Sequence, residues 1–199
     1  MTNAYKELNS ELKNCGVEDI DFLGNKAGSL ARLINTKLSS KPYVDILIKY
    51  LGRLKKNETD MVVRALTEKG NKKATSALLK LFRNQQDIEL WAVGNALYTI
   101  DDKSSYPEIL KICQNKSFGM ARQMLMGTLA RMKSEEAYKV LIECLSDETV
   151  KGHAIQALGR FGNPEAIEIL EKIDVRKDKY EFKAKNTAIR TLKRKKHSS

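Results

Sequence analysis

The chain has two histidines, three cysteines, three prolines and one tryptophan in 199 residues, which leaves little material for metal, redox or aromatic-cage chemistry. Cys15, Cys113 and Cys144 form no CxxC pair, and His153 and His197 have no ligand cluster around them, so no metal site is nominated. A phosphate-cradling glycine loop and a G-x-S-x-G elbow are both missing, so no cofactor and no catalytic residue is nominated, and the chain is expected not to be an enzyme. The carboxylate pairs Glu135-Glu136 and Asp101-Asp102 are adjacent in sequence and read as solvated charge. No apolar run approaches the length of a membrane span. The opening MTNAYKELNSELK lacks a signal-peptide core and carries both signs of charge, so the cytoplasm is the expected location, with no membrane partner.

What the chain does have is repetition. Leu66, Leu97, Leu129, Leu158 and Leu192 recur at spacings of 31, 32, 29 and 34 residues. Four positions before each lie Val62, Val93, Leu125, Ala154 and Ala188, and one position before lie Ala65, Ala96, Thr128, Ala157 and Thr191. This spacing draws one apolar stripe on a helix, and the small members let a neighbouring helix approach closely. After a short break, Leu78, Leu110, Leu141 and Leu170 mark a second helix. A period near thirty is one helical hairpin per repeat. In this register Cys113 and Cys144 share the second-helix slot of Leu81 and Ile173 and read as reduced core thiols.

Helix punctuation supports the division. Gly70-Asn71 and Gly162-Asn163-Pro164 combine a residue tolerant of left-handed geometry with a good helix start. Ser104-Ser105 and Ser134 are the candidate N-caps in the other two repeats. The expected organisation is one all-α domain over residues 1–199. It has an N-terminal cap in 1–20 with an amphipathic helix over 2–14, about five hairpins in 20–173, and a basic capping helix and tail in 174–199.

The segment AIQALGRFGNPEAIEIL, residues 154–170, resembles a HEAT repeat of the short variety described in phycobilisome lyase subunits, and weaker copies extend the resemblance over about 28–194. The resemblance implies an armadillo-like, right-handed α-α superhelix whose second helices line the concave wall, and a binding scaffold rather than a reaction. The family often carries a basic residue seven positions before the anchor leucine. Arg122, Lys151 and Lys185 match it, whereas Thr59 and Leu90 depart from it. Likeness to alkylation-repeat DNA glycosylases stops at size, charge and helix count, because their several tryptophans and catalytic aspartate have no counterpart beside Trp91 and Asn95.

Charge points to candidate surfaces. The concave positions implied by the resemblance are Lys73, Lys80 and Lys111, then Glu136, Lys139, Glu165 and Glu168, a change of sign suited to a protein partner. Residues 171–199 carry +7 of the net +11, with Lys185, Arg190, Lys193, Arg194, Lys195 and Lys196 as candidates for neutralising nucleic-acid phosphates. A solubilising end cap is the competing reading of the same residues. Trp91 occupies a slot held by Asp60, Gln123, Gly152 and Asn186 elsewhere. It reads either as an aromatic anchor for a partner or as cover for the turn at Asp101 to Ser105. A monomer is expected.

Overall fold

The computed structural model describes residues 1–22, 25–84 and 89–196, so His197 lies outside the described residues. The chain divides into two compact units, residues 1–102 and 103–199.

The first unit begins with α1 (Asn3–Asn14), the expected N-terminal cap. The Thr2 hydroxyl accepts a hydrogen bond from the Tyr5 N–H at 3.2 Å and itself donates to the Glu58 carboxylate at 2.7 Å. That second bond ties the start of the chain to the start of α4 (Lys56–Leu66). Between them lie a two-stranded antiparallel ribbon, β1 (Ile20–Phe22) with β2 (Asn25–Ala27), and the first hairpin, α2 (Gly28–Asn35) with α3 (Val44–Tyr50). The ribbon was not expected from an all-helical pattern. The unit continues through α5 (Thr75–Asn84) and ends with α6 (Leu90–Ile100).

The second unit opens on a second-type helix, α7 (Tyr106–Gln114). Two complete hairpins follow, α8 (Gln123–Met132) with α9 (Glu135–Glu143) and α10 (Lys151–Phe161) with α11 (Ala166–Lys172). An unpaired first-type helix, α12 (Tyr180–Lys196), closes it. All five anchor leucines are buried. The fold is all-α and HEAT-like, built from the expected hairpins.

The hairpin turn has one recurring backbone device. The residue four after the anchor leucine is left-handed in four successive repeats: Gly70 (φ 75°), Asp101 (φ 57°), Lys133 (φ 55°) and Gly162 (φ 86°). Such a residue turns the chain out of the helix and lets its own N–H reach back to the last turn. At Asp101 and Gly162 that N–H meets the carbonyl of the anchor leucine, at 3.2 and 3.0 Å. The next residue is Asn71, Asp102, Ser134 or Asn163. Asn71 donates from its amide to the Leu66 carbonyl, Ser134 accepts from the Ala137 N–H and Asn163 accepts from the Glu165 N–H. Only the two glycines are visible as turn signals in the sequence, because αL geometry in Asp and Lys costs some strain and carries no residue-type label.

This device corrects the second-helix register. Leu78, Ile109, Leu141 and Leu170 each lie eight residues after the left-handed residue and are fully buried, whereas Leu110 is half-buried. The repeat slot therefore belongs to Ile109, and by the same shift Ile112, not Cys113, matches Leu81, Cys144 and Ile173. Cys113 and Cys144 are both buried and free, and burial pushes both thiols upward in pKa, away from nucleophilic behaviour. A second correction concerns capping. Ser105 precedes α7, but its backbone is helical (φ −86°, ψ −6°) at the end of a 3-10 turn, and its hydroxyl makes no cap bond. An N-cap needs extended geometry, which Ser134 has (φ −91°, ψ 156°).

Replacing Ile109 by Ala should cost about as much as replacing Leu158 by Ala, about 2–5 kcal/mol from lost methylenes and a residual cavity. Leu110→Ala should cost less than half of that. Denaturant unfolding of the three variants checks the register, and a larger loss at Leu110 than at Ile109 would refute it.

Candidate functional site

The position seven before the anchor leucine shows what the family's basic residue does. The guanidinium of Arg122 is 1% exposed and donates to the Cys113 carbonyl at 3.0 Å, at the end of the preceding second helix. It also donates to the Asp147 carboxylate at 2.5 Å and the Thr149 hydroxyl at 3.2 Å, in the turn that leaves its own hairpin. Lys185 repeats the first contact: its ammonium donates to the carbonyls of Glu171 (3.1 Å) and Ile173 (2.6 Å), where α11 ends. Thr59 makes a neutral version, donating to the Leu54 carbonyl at 3.4 Å. Lys151 departs, pairing with Glu148 at 2.7 Å. A cation at a helix C-terminus meets unsatisfied carbonyls and the negative end of the macrodipole. In three of the five repeats this slot therefore fastens the first helix to the end of the helix before it.

The basic C-terminus divides in the same way. Lys185 is used as a cap and Lys193 pairs with Glu171 at 2.8 Å, so both hold α12 against α11. Lys195 lies over the end of α10, where a Cβ on Gly162 would meet its Nζ at 2.5 Å. Beside it, the Lys133 ammonium donates to the Arg160 carbonyl at 2.9 Å and to the Phe161 carbonyl, and sits 5.0 Å from the Phe161 ring centroid. Desolvation, then the neighbouring Lys195 charge, pushes the Lys133 pKa down. Arg190, Arg194 and Lys196 are exposed on α12.

Packing of the two helix layers in the second unit is unequal. α10 lies along both α8 and α12, with Gly159 so close to Ala188 that an added Cβ would fall 2.9 Å from its Cα and Cβ. Gly152 is similarly closed by the Tyr180 ring, 2.6 Å from an added Cβ. α9 and α11 make no comparable contact, and α7 meets α9 only lightly. A stack whose first helices are closer together than its second helices curves toward the first helices. Within this unit the concave side is therefore lined by α8, α10 and α12, which corrects the assignment of that wall to the second helices.

Residues 106–193 match the family described as HEAT repeats. This segment is a run of HEAT repeats. A comparison with curated proteins finds no match to the chain. HEAT repeats form helical scaffolds that often mediate protein interaction and are typically non-catalytic.

On the second helices of the HEAT segment, Lys111, Glu136, Lys139, Glu165 and Glu168 are all exposed, on the outer layer. Lys139 is held by Glu135 at 2.6 Å, an i,i+4 pair, and the Glu165 carboxylate accepts from the Asn163 amide at 3.0 Å. In the first unit Lys73, in the 3-10 turn before α5, pairs with Asp45 at 2.5 Å, and Lys80 is exposed on α5. Trp91 is 48% exposed in the first turn of α6. The turn at Asp101 lies beyond the far end of that helix, about 15 Å away at 1.5 Å per residue, so Trp91 does not cover it. Among the described residues no group of three or more His, Cys, Asp or Glu is arranged to hold a metal.

The Arg122–Asp147 pair gives a pH expectation. Burial alone would push the Asp147 carboxyl up, but hydrogen bonds from Thr149 and Arg122 and the Arg122 charge outweigh it and lower the pKa from 3.8 to about 2. A depressed folded-state pKa stabilises above the unfolded value and loses that contribution as pH falls through the folded one. The second unit should thus weaken between about pH 4 and pH 2 by about 2 kcal/mol. Arg122→Ala strands a buried carboxylate and the Cys113 carbonyl, so it should cost about 3–5 kcal/mol at neutral pH and move acid unfolding to higher pH. Circular dichroism during acid titration of both proteins checks this; coincident curves would contradict it.

Proposed function

We propose that the protein is a non-catalytic HEAT-repeat adaptor in the cytoplasm that binds a protein partner through charged side chains on its second helices. The observation that carries this reading is the row of exposed carboxylates Glu136, Glu143, Glu165 and Glu168 on α9 and α11. Helices packed on a common leucine core present these groups on rigid supports, and a fixed charged row gives orientation and on-rate to a partner carrying basic side chains. Lys73 in the turn before α5, Lys80 on α5 and Lys111 on α7 are the basic members of the same reading. Trp91 is a candidate aromatic anchor on the first unit, since exposed tryptophans are enriched among residues that dominate interface energy.

The experiment is affinity capture from the native organism after nuclease treatment, with wild type beside a Glu136→Lys, Glu165→Lys, Glu168→Lys variant. Thermal stability should be nearly unchanged, because exposed substitutions stay within about 0.5 kcal/mol each. The reading expects a stoichiometric protein partner lost in the variant. Equal retention by both proteins would exclude the second-helix row as the site.

A further inference from the structure

The first-helix layer of the second unit carries a motif that the leucine pattern conceals. Two positions after the anchor in three successive repeats stands arginine: Leu129-Ala130-Arg131, Leu158-Gly159-Arg160 and Leu192-Lys193-Arg194. Positions five before, two before and two after the anchor fall on one stripe, opposite the side that meets the second helices. On α8, α10 and α12 these positions are Met124, Gly127 and Arg131, then His153, Gln156 and Arg160, then Thr187, Arg190 and Arg194. None of the nine is buried, and all four arginines are exposed. Four are arginine and none is a carboxylate. The corresponding positions of α9 and α11, Glu136, Lys139, Glu143, Glu165, Glu168 and Lys172, hold four carboxylates and two lysines.

The charge is therefore sorted by layer, and helix dipoles account for part of it, since Arg131, Arg160 and Arg194 stand in the last turns of α8, α10 and α12. Complementing a dipole places cations at the C-terminal carbonyls, and Arg122, Lys133 and Lys185 do that. Arg190 stands more than a turn from the end of α12 and points away from the core. The close packing of α10 with α8 and α12 makes these helices neighbours, at the roughly 8–10 Å axial separation usual for packed helices, with Arg131, Arg160 and Arg194 at the same repeat position of each. Of the carboxylates near this layer, Glu148 pairs with Lys151 and Glu181 sits against Gly152 at its other end, while Glu171 at the arginine end is held by Lys193 at 2.8 Å. Residues 103–199 hold twenty Lys/Arg against twelve Asp/Glu, so the surrounding field is positive.

We propose that this arginine ladder, Arg131, Arg160, Arg190 and Arg194 on the inner layer of the second unit, binds the phosphate backbone of duplex nucleic acid. A concave wall receives a convex polyanion. Planar guanidiniums bind phosphate bidentately, and a face without carboxylates repels none of the phosphates. The ladder carries no side chains set to read base edges, so binding is backbone-directed and independent of sequence. This surface is distinct from the second-helix row and does not depend on the protein-binding reading. It also differs from the bare basic tail, since Lys185 and Lys193 are used inside the fold and the face extends to α8.

The test is salt-dependent binding of the full chain to a short random-sequence DNA duplex, compared among three proteins. Wild type should bind at low salt with a log–log slope of about −3.6, from four phosphate contacts at about 0.9 each. The Arg131→Gln, Arg160→Gln, Arg194→Gln variant should lose about three-quarters of that slope and at least about tenfold in affinity. A control with the same charge change on the outer helices, Lys111→Gln, Lys139→Gln, Lys172→Gln, should stay within about twofold of wild type. Single-arginine variants, each expected to reduce the slope by about 0.9, keep the test decisive if the triple variant fails to fold. No binding by folded wild type at low salt would overturn the proposal, as would equal losses in both triple variants. Poly-glutamate competing as well as DNA, with the same arginine dependence, would assign the ladder to an acidic protein segment instead.

Discussion

The contact on which the second unit depends is the approach of α10 to α12 at Gly159 and Ala188, where there is no room for another methyl group. Helices reach such separations only when the facing positions are glycine, alanine or similarly small. Gly152, closed by Tyr180, and the buried small residues Ala184 on α12 and Thr128 on α8 extend the same rule along the layer. The leucine core holds each hairpin together, but it says nothing about which layer of a stack is tighter. The small lateral residues settle that. They set the direction of curvature and bring equivalent side chains of α8, α10 and α12 next to one another, which turns an isolated L-x-R triplet into a ladder.

Positive charge in this unit has three separate uses. Arg122, Lys133 and Lys185 lie on helix-end carbonyls and stitch successive repeats. Lys193 and Lys151 make local ion pairs whose exposure limits their value for stability. The outward arginines stand exposed on α8, α10 and α12, on the face opposite the one where the carboxylates of α9 and α11 gather. A net charge alone would not distinguish these roles. The unit is better described as a two-faced slab, basic on its inner helices and acidic on its outer ones, and two such faces on one rigid support carry different electrostatic fields.

The sequence carried the first helices plainly. Leu66, Leu97, Leu129, Leu158 and Leu192 are buried, and the small residues one and four positions before them lie in the core or against a neighbouring helix. The second helices were legible only up to a slip of one residue at Leu110, because the turn there is set by a left-handed Asp101 that looks like any surface aspartate. Ser105 misled for a related reason: a capping residue type without capping backbone geometry. The concave wall was misassigned because curvature comes from side-chain volume at lateral positions such as Gly152 and Gly159, which a stripe of leucines does not report. Burial of Arg122 was likewise invisible, since a basic residue at a helix start gives no sign that three elements converge on it. The L-x-R triplet was present in the residues throughout, and only the packing gives it a shared face.

Inter-helix distances in solution test the central claim directly. Cysteine replacements for spin labels, in a chain with exposed Cys15 removed, would place one pair at Met124 and His153 on α8 and α10, and another at Glu136 and Glu165 on α9 and α11. The two pairs occupy corresponding slots of the same two repeats. The account predicts a clearly shorter distance for the first pair than for the second. Equal distances, or a shorter one between α9 and α11, would contradict curvature toward the first helices and remove the basis for the basic inner face.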